Sequence, residues 1–218
     1  MSIQSNQSNW TTTKLLAQEK PMSYQATKRW CVLTLLIWGT TVMSAGYYGL
    51  FTQISLYSIP PLIATGIFIP VLVYYLNPQF RAYIGSIDFK YLTLFHLWRI
   101  PAAIVFFHYG NQHLLPEGFV FNAAYGDLLV GLLAPIILLL GNRGNRKYLA
   151  FHVFSLLDFV VAVGTGLTFT ILQIPLMETI ATYPLLLIPL FGVPVTGALS
   201  IMTLDRLIRE RMIQTKLI

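Results

Sequence analysis

The chain has 218 residues, of which 56% are hydrophobic and only 10% are charged. A soluble domain carries about a quarter charged residues, so this chain has too few polar side chains to cover a surface in water. Its net charge of +6 does not indicate a nucleic-acid partner, because the basic residues flank apolar segments, where they bind anionic lipid head groups. Composition therefore predicts an integral protein of the lipid bilayer.

The N-terminal 27 residues precede the first apolar segment and are rich in Ser, Gln, Asn and Thr. They contain little that a folded core can bury, so we expect residues 1–27 to form a disordered polar tail. Lys28 and Arg29 follow this tail rather than opening the chain, and no small-residue cleavage site comes after the first apolar segment. We therefore expect the first segment to be a retained membrane span and not a signal peptide.

Six apolar segments follow, each close to the roughly 20 residues that a helix needs to cross hydrocarbon. They cover residues 30–48, 57–76, 91–110, 122–140, 148–172 and 184–204. Because lipid offers the backbone no hydrogen-bond partners, helices are expected. The fold class is therefore all-α, a six-span transmembrane bundle over residues 28–205, followed by a basic amphipathic tail over residues 206–218. Interior prolines in four spans predict kinked helices; these are Pro70, Pro101, Pro135, Pro189 and Pro194.

Basic residues mark every second connection between these segments. Apart from Arg99, they fall in the N-terminal tail, the second and fourth connections and the C-terminal tail: Lys14, Lys20, Lys28, Arg29, Arg81, Lys90, Arg143, Arg146, Lys147, Arg206, Arg209, Arg211 and Lys216. The other connections have none. Since cytoplasmic loops carry the excess of Lys and Arg, we expect both termini to be cytoplasmic in a bacterial inner (plasma) membrane.

Five polar residues inside the predicted spans carry the functional signal: His96, Arg99, Asp127, His152 and Asp158. A charged Arg or Asp at the centre of a membrane helix costs about 2.5–3.5 kcal/mol on insertion scales. Three such groups without partners would cost roughly 8–10 kcal/mol. These side chains are therefore expected to face the bundle interior and to form an intramembrane polar core.

Depth in the membrane predicts the pairing. At 1.5 Å per residue, Arg99 lies about 12 Å from the inner surface and Asp158 about 15 Å, so an Arg99–Asp158 ion pair is the first choice. Asp127 is expected near the outer end of the fourth span, although the long Arg99 side chain can reach toward it. His96 and His152 are expected at similar depths on the third and fifth spans.

Three interpretations of the polar core remain open. It can be structural, fixing helix packing and register. It can bind or transport something, with Asp127 and Asp158 as titratable carriers, Arg99 holding an anion or tuning a carboxyl group, and the histidines relaying protons. As a minor alternative, His96 and His152 can ligate a single haem from facing helices.

No enzyme is predicted, because the sequence lacks a nucleophile elbow, a zinc-protease helix motif and a phosphate-binding loop. We expect no cofactor and no metal site; the spacing of His108, His113 and Glu117 is weak evidence for one. The expected function is a small-solute or proton-coupled transporter, with a structural or assembly subunit of a larger membrane complex as the alternative. Small residues at four-residue spacing, as at Thr196 and Ser200, permit a homo-oligomer or a membrane partner.

Several short motifs occur in a characteristic order in the second half of the chain. They are Leu97-Trp98-Arg99-Ile100-Pro101, Leu115-Pro116, Gly126-Asp127-Leu128-Leu129, Gly131 to Pro135, Ile188-Pro189 and Val193-Pro194. In this order they resemble a group of bacterial multi-pass membrane proteins of unknown function, from about Leu94 to the C-terminus. The resemblance implies no activity, but it implies that Arg99 and Asp127 belong to a shared core.

Overall fold

The computed structural model of the protein describes residues 24–140 and 144–216, with side chains as far as Ile213. Most of the predicted N-terminal tail (residues 1–23), Arg143 and the last two residues lie outside the described residues. Within the described residues all regular structure is helical, which confirms the all-α class. The α-helices are α1 Tyr24–Tyr47, α2 Ile59–Leu76, α3 Pro78–Ser86, α4 Phe89–Leu94, α5 Arg99–Asn111, α6 Glu117–Leu139, α7 Arg146–Ile171 and α8 Val193–Lys216.

Five helical segments in the described residues are long and apolar enough to cross a membrane. They are Tyr24–Tyr47, Leu56–Leu76, Glu117–Leu139, Arg146–Ile171 and Ile188–Ile213. Four of them begin earlier than the sequence predicted, and two of these, α1 and α6, do so by five residues or more. Helix α1 starts at Tyr24, inside the predicted polar tail, and α6 starts at Glu117 rather than at residue 122.

Side-chain caps set the starts of the two short helices α3 and α4. The Asn77 side chain accepts hydrogen bonds from the backbone N–H groups of Gln79 and Phe80 at 2.9 and 3.1 Å, which starts α3. The Asp88 side chain accepts one from the backbone N–H of Lys90 at 2.9 Å and starts α4. Each cap begins a short helix, so the long helix α2 is followed by α3 with 9 residues and α4 with 6 residues.

The third predicted span is helical from residue 89 to residue 111, but it is divided into three pieces. A 3₁₀ segment, Phe95–Trp98, separates α4 from α5. The cause is Pro101, which lacks an N–H group and cannot donate to the carbonyl of Leu97. Similarly, a π-helical turn at Ile188–Gly192 precedes Pro194. Pro70 and Pro135, in contrast, lie inside continuous α-helices.

The helices pack in a chain of neighbours: α5 on α6, α6 on α7, α7 on α8, and α8 on α2. The last apolar segment, Ile188–Ile213, is central. In its most apolar stretch of 18 residues 61% are buried, whereas the figure for α1 is 11%. Helix α1 contacts α3 and the π-helical turn and is peripheral. Gly66 permits the close contact of α2 with α8, because a Cβ atom there would lie 2.8 Å from Cβ of Pro194.

The basic connections lie together at one end of the bundle. The Tyr74 hydroxyl donates to Asp205 at 2.8 Å, Asn145 donates to Glu210 at 2.8 Å, and Arg206 donates to the carbonyl of Ile87 at 2.5 Å. We call this the basic end; it comprises residues 77–90, 144–147 and 205–213. Residues 48–58, 112–116 and 172–183 contain no Lys or Arg and form the basic-free end, where the rings of Tyr47 and Tyr183 lie 6.0 Å apart.

Candidate functional site in the polar core

Arg99 stands at the centre of the site. It is the first residue of α5, directly after the 3₁₀ segment, and only 3% of it is exposed. Its Nε donates to Asp127 Oδ1 at 2.5 Å, its Nη1 donates to Ser155 Oγ at 3.2 Å, and its Nη2 donates to Asp158 Oδ2. One guanidinium therefore joins α5 to α6 and α7 through charge-assisted hydrogen bonds, which are the stronger kind.

The charges of this group do not balance. Two carboxylates face one guanidinium, and the side chains of Asp127 and Asp158 are only 9% and 10% exposed. With both carboxylates ionised, the group carries one excess negative charge. Since an uncompensated charge away from water is costly, the group is neutral only when it also holds one proton or one further cation.

Glycines on α6 allow this close packing. A Cβ atom at Gly126 would overlap the Asp158 carboxylate, so only glycine admits that side chain beside Asp127. Five residues further along α6, a Cβ atom at Gly131 would lie 2.6 Å from Ile100 Cγ1 and 3.1 Å from the Ile100 backbone N. Gly126 therefore lets α6 pack closely against α7, and Gly131 lets it pack closely against the start of α5, where Arg99 lies.

Two histidines extend the site toward the basic end. The Ser155 hydroxyl that accepts from Arg99 also contacts His96 Nδ1 at 3.2 Å. The His96 and His152 rings lie 5.3 Å apart between centroids, and His152 Nε2 contacts Thr93 Oγ1 at 3.4 Å. We call these seven residues the polar core: Thr93, His96, Arg99, Asp127, His152, Ser155 and Asp158.

The histidine geometry does not fit the haem alternative. His96 and His152 are both fully buried, and their rings pack directly against each other at 65° between planes. A bis-histidine haem needs its porphyrin between the two rings, with each nitrogen bound to iron. There is no space for a porphyrin between rings that already touch, so the residues present do not fit that group.

The structure brings all five predicted polar residues together, with one correction. The expected Arg99–Asp158 pair is present, and Arg99 binds Asp127 at the same time. Asp127 is not near the outer end of its span: because α6 begins at Glu117, Asp127 lies ten residues inside the helix. His108 contacts Tyr109 and Gln112.

Sequence reasoning missed two members of the polar core, Thr93 and Ser155, both fully buried. Hydroxyl residues are frequent in membrane helices, where they bond their own backbone, and they carry no charge to signal a site. Their spacing was nevertheless informative. Ser155 lies three residues after His152 and three before Asp158, and Thr93 lies three before His96, so each shares a helix face with a predicted residue.

The weak metal candidate is not assembled. Within residues 24–140 and 144–216, no three His, Cys, Asp or Glu side chains lie close enough to hold a metal ion. His113 and Glu117 line an open cleft of about 720 Å³ between α5 and α6 at the basic-free end, but His108 is not part of its lining. This cleft is separate from the polar core.

The family model described as "domain of unknown function (DUF8737)" matches residues 57–208, which is more than half of the chain. The chain belongs to the DUF8737 family. The matched DUF8737 region begins after α1 and includes α2 to α7, most of α8 and the complete polar core. No curated protein and no solved structure matches the chain.

Proposed function

We propose that this DUF8737 protein crosses the bacterial inner membrane six times, with both termini in the cytoplasm. The sixth crossing is the divided segment at residues 89–111, whose 23 residues span about 35 Å at 1.5 Å per residue, enough for the roughly 30 Å hydrocarbon core. Alternating connections lie at opposite ends of the bundle, and one end holds the Lys and Arg side chains. The positive-inside rule assigns that end to the cytoplasm.

Cysteine labelling in whole cells tests this topology. In a Cys31→Ser background, Gln53→Cys at the basic-free end should react with a membrane-impermeant maleimide, and Ser86→Cys at the basic end should react only after lysis. The reverse pattern would contradict the proposed orientation. Equal labelling of both positions in intact cells would contradict the proposal that they lie on opposite sides.

We propose further that the protein is a proton-coupled transporter of a small solute. The observation that carries this proposal is the unequal charge count at Arg99, which faces two carboxylates from two other helices. A dry site with one excess negative charge takes up one proton or one cation. Ionisable groups of this kind inside membrane bundles are typical of proton and ion pathways.

The geometry also supplies a way to couple the proton to a movement. Protonation of Asp158 would weaken its bond to Arg99 and loosen α7 from α5, while Asp127 would still hold Arg99 on α6. The equilibrium between two arrangements of α7 would then depend on the proton, because the proton binds the two arrangements with different affinities. A solute that prefers one arrangement would be coupled to the proton in this way.

Proteoliposomes test the transport proposal. With a pH gradient imposed across the membrane and a trapped pH-sensitive dye, wild-type protein should give a proton flux that responds to added solutes, and Asp158→Asn should abolish it. Asp88→Asn is the matched control, because Asp88 is exposed at the basic end and asparagine retains the helix cap. Absence of flux in the wild type, with Asp158→Asn indistinguishable from it, would contradict the proposal.

A structural or assembly subunit is the second candidate, and one observation favours it. Each of the three guanidinium nitrogens of Arg99 already has a partner, as expected of a group that fixes the positions of three helices. This candidate predicts that the protein purifies from the native membrane with other membrane proteins in fixed ratio. Purification as a stable protein without partners, together with proton flux, would contradict it.

A further inference from the structure

The cleft between α5 and α6 at the basic-free end has the size and the lining of a ligand site. Its volume is about 720 Å³, within the roughly 300–1,000 Å³ of sites that hold drug-sized molecules. Helix α5 ends here and α6 begins here, so height along the two helices orders the lining. Polar side chains lie nearest the basic-free end and aromatic rings lie deeper: Asn111, His113 and Glu117, then Phe107, Phe121 and Tyr125. Such a cleft fits a molecule with one polar and one apolar end.

The aromatic rings form one connected surface below Glu117. Phe121 and Tyr125 follow Glu117 at intervals of four residues, so all three share a face of α6. At 1.5 Å per residue they lie about 6 and 12 Å deeper along the helix axis. The Tyr125 ring contacts the rings of Phe107 and Phe121, with centroids 4.9 and 5.4 Å apart. Since 66% of Phe121 and 56% of Tyr125 are exposed, this surface is open to a ligand.

Glu117 gives the cleft its negative charge. It lies in the first turn of α6, where the helix dipole favours a carboxylate, and its side chain is exposed. Among residues 24–140 and 144–216, no Lys or Arg forms an ion pair with Glu117. The sequence between Arg99 and Arg143 contains neither residue type. The carboxylate is therefore available to a cation from outside the protein.

Contacts between helices hold the walls of the cleft in place. A Cβ atom at Gly110 of α5 would lie 2.9 Å from Cγ1 of Val120 of α6, so glycine permits the two helices to meet at this height. On the other side, the Asn122 amide donates to Thr165 Oγ1 of α7 at 3.0 Å. The cleft is therefore formed before any ligand binds, which reduces the cost of binding.

We propose that this cleft binds a small organic ammonium ion that carries an apolar group. The ammonium would lie between the Glu117 carboxylate and the Phe121 ring, because aromatic faces attract cations. The apolar group would lie against Tyr125 and Phe107. A phospholipid with an ammonium head would also bring a phosphate, which Arg and Lys bind best, and the cleft has neither. Binding at this site needs neither the polar core nor a proton.

Two substitutions remove the recognition groups without removing bulk. Glu117→Gln deletes the charge and keeps the shape, and Phe121→Leu deletes the aromatic ring and keeps an apolar side chain. Each has a matched control outside the cleft. Glu178→Gln removes an exposed carboxylate from the same end of the bundle, and Phe68→Leu removes an exposed ring from α2. All four side chains are exposed, so the unfolding midpoints of these variants should equal that of the wild type.

Equilibrium dialysis with radiolabelled 4-phenylbutyltrimethylammonium tests the proposal, on purified full-length protein in an uncharged maltoside detergent. Protein-free micelles measure the partition of the probe into detergent. We expect one saturable site per chain with a Kd below about 1 mM. Glu117→Gln should weaken binding by about 5-fold or more, as for loss of one contact between opposite charges. Phe121→Leu should weaken it by about 3-fold, and the two controls should leave the Kd unchanged.

A second arm separates the ammonium ion from a lipid. Phosphatidylethanolamine has an ammonium head and phosphatidylglycerol has none, and we expect neither, added to the micelles, to displace the probe. Displacement by phosphatidylethanolamine alone would identify a lipid as the occupant and overturn the proposal. Absence of saturable binding, or a Glu117→Gln Kd equal to that of the wild type, would overturn it too. An equal loss in Glu178→Gln would show a general field of negative charge and no specific site.

Discussion

The polar core and the basic end both pair arginine with carboxylates, but in opposite surroundings. At the basic end, Arg206 pairs with Glu210 at 2.8 Å and Arg209 with Asp205 at 3.0 Å, each within one helix and each partly in contact with solvent. In the polar core, Arg99 binds two carboxylates from two other helices and is 3% exposed. At the basic end, each arginine pairs with one carboxylate of the same helix, so the charges balance. In the polar core, one arginine pairs with two carboxylates from other helices, so one negative charge is in excess.

Burial changes the role of the same chemical pair. A hydrated pair gives little free energy, because water solvates the separated ions almost as well. A buried group cannot lose its one cation without leaving buried carboxylates uncompensated. The basic end therefore tolerates substitution, while the polar core responds to any change in its charge count, which is the property that a proton-binding site needs.

Removal of the shared cation should have the largest effect. Arg99→Gln leaves Asp127 and Asp158 buried without a cation, and we expect a loss of about 3–5 kcal/mol in the free energy of unfolding. Unfolding in detergent micelles measures this. Arg209→Gln at the basic end should leave the unfolding midpoint unchanged. If the two variants had equal midpoints, the distinction between the two regions would be wrong.

A smaller effect is expected from the glycine beside Asp158. Gly126→Ala places a methyl group where the Asp158 carboxylate lies, so that carboxylate must move, at a cost of about 1–3 kcal/mol. Gly85→Ala in α3 meets nothing within 4 Å and should stabilise the helix by about 0.5–1 kcal/mol. Opposite signs in the same unfolding assay would support the packing of α6 on α7; equal signs would contradict it.

The contact of the 3₁₀ segment with α8 should matter less. Trp98 Nε1 donates to Thr196 Oγ1 at 2.8 Å, and Trp98→Phe removes this donor while Thr196 keeps its bond to the Gly192 carbonyl. We expect a loss of about 0.5–1.5 kcal/mol in the free energy of unfolding. Trp30→Phe on the exposed side of α1 is the control and should have no measurable effect. A neutral Trp98→Phe would show that this bond does not hold the segment.

The basic end should give the smallest change, and the only one that depends on salt. Arg206→Gln removes the bond to the Ile87 carbonyl and the pair with Glu210, at a cost of about 0.5–1 kcal/mol. Because these groups are partly hydrated, the cost should shrink at high ionic strength. The cost of Arg99→Gln should not. Equal salt dependence at the two sites would mean that the polar core is not dry.

Much of the class and of the polar core could be predicted from the sequence. A charge inside an apolar segment is rare and costly, so Arg99 and Asp158 stand out without a structure, and equal depth predicts that they pair. The alternation of Lys and Arg likewise predicts the two ends of the bundle, and the described residues place the basic connections together.

What could not be predicted depends on boundaries and close contacts. The polar residues Asn122 and Glu117 hid the true start of α6, which directly follows the extended Pro116, and so Asp127 was placed too near the outer end. The division of the third span follows from Pro101, but a proline alone does not distinguish a kink from a change of helix type. The contact between the His96 and His152 rings depends on ring orientation, which no sequence pattern specifies.

The central claim is that Asp127 and Asp158 share one cation in a dry site. A double-mutant cycle in the unfolding assay tests it most directly. Asp127→Asn or Asp158→Asn alone leaves a balanced one-to-one pair with Arg99, whereas both together leave Arg99 buried without a carboxylate. We expect the double variant to lose more stability than the sum of the single variants, by about 1–3 kcal/mol. Additivity within about 0.5 kcal/mol would contradict it.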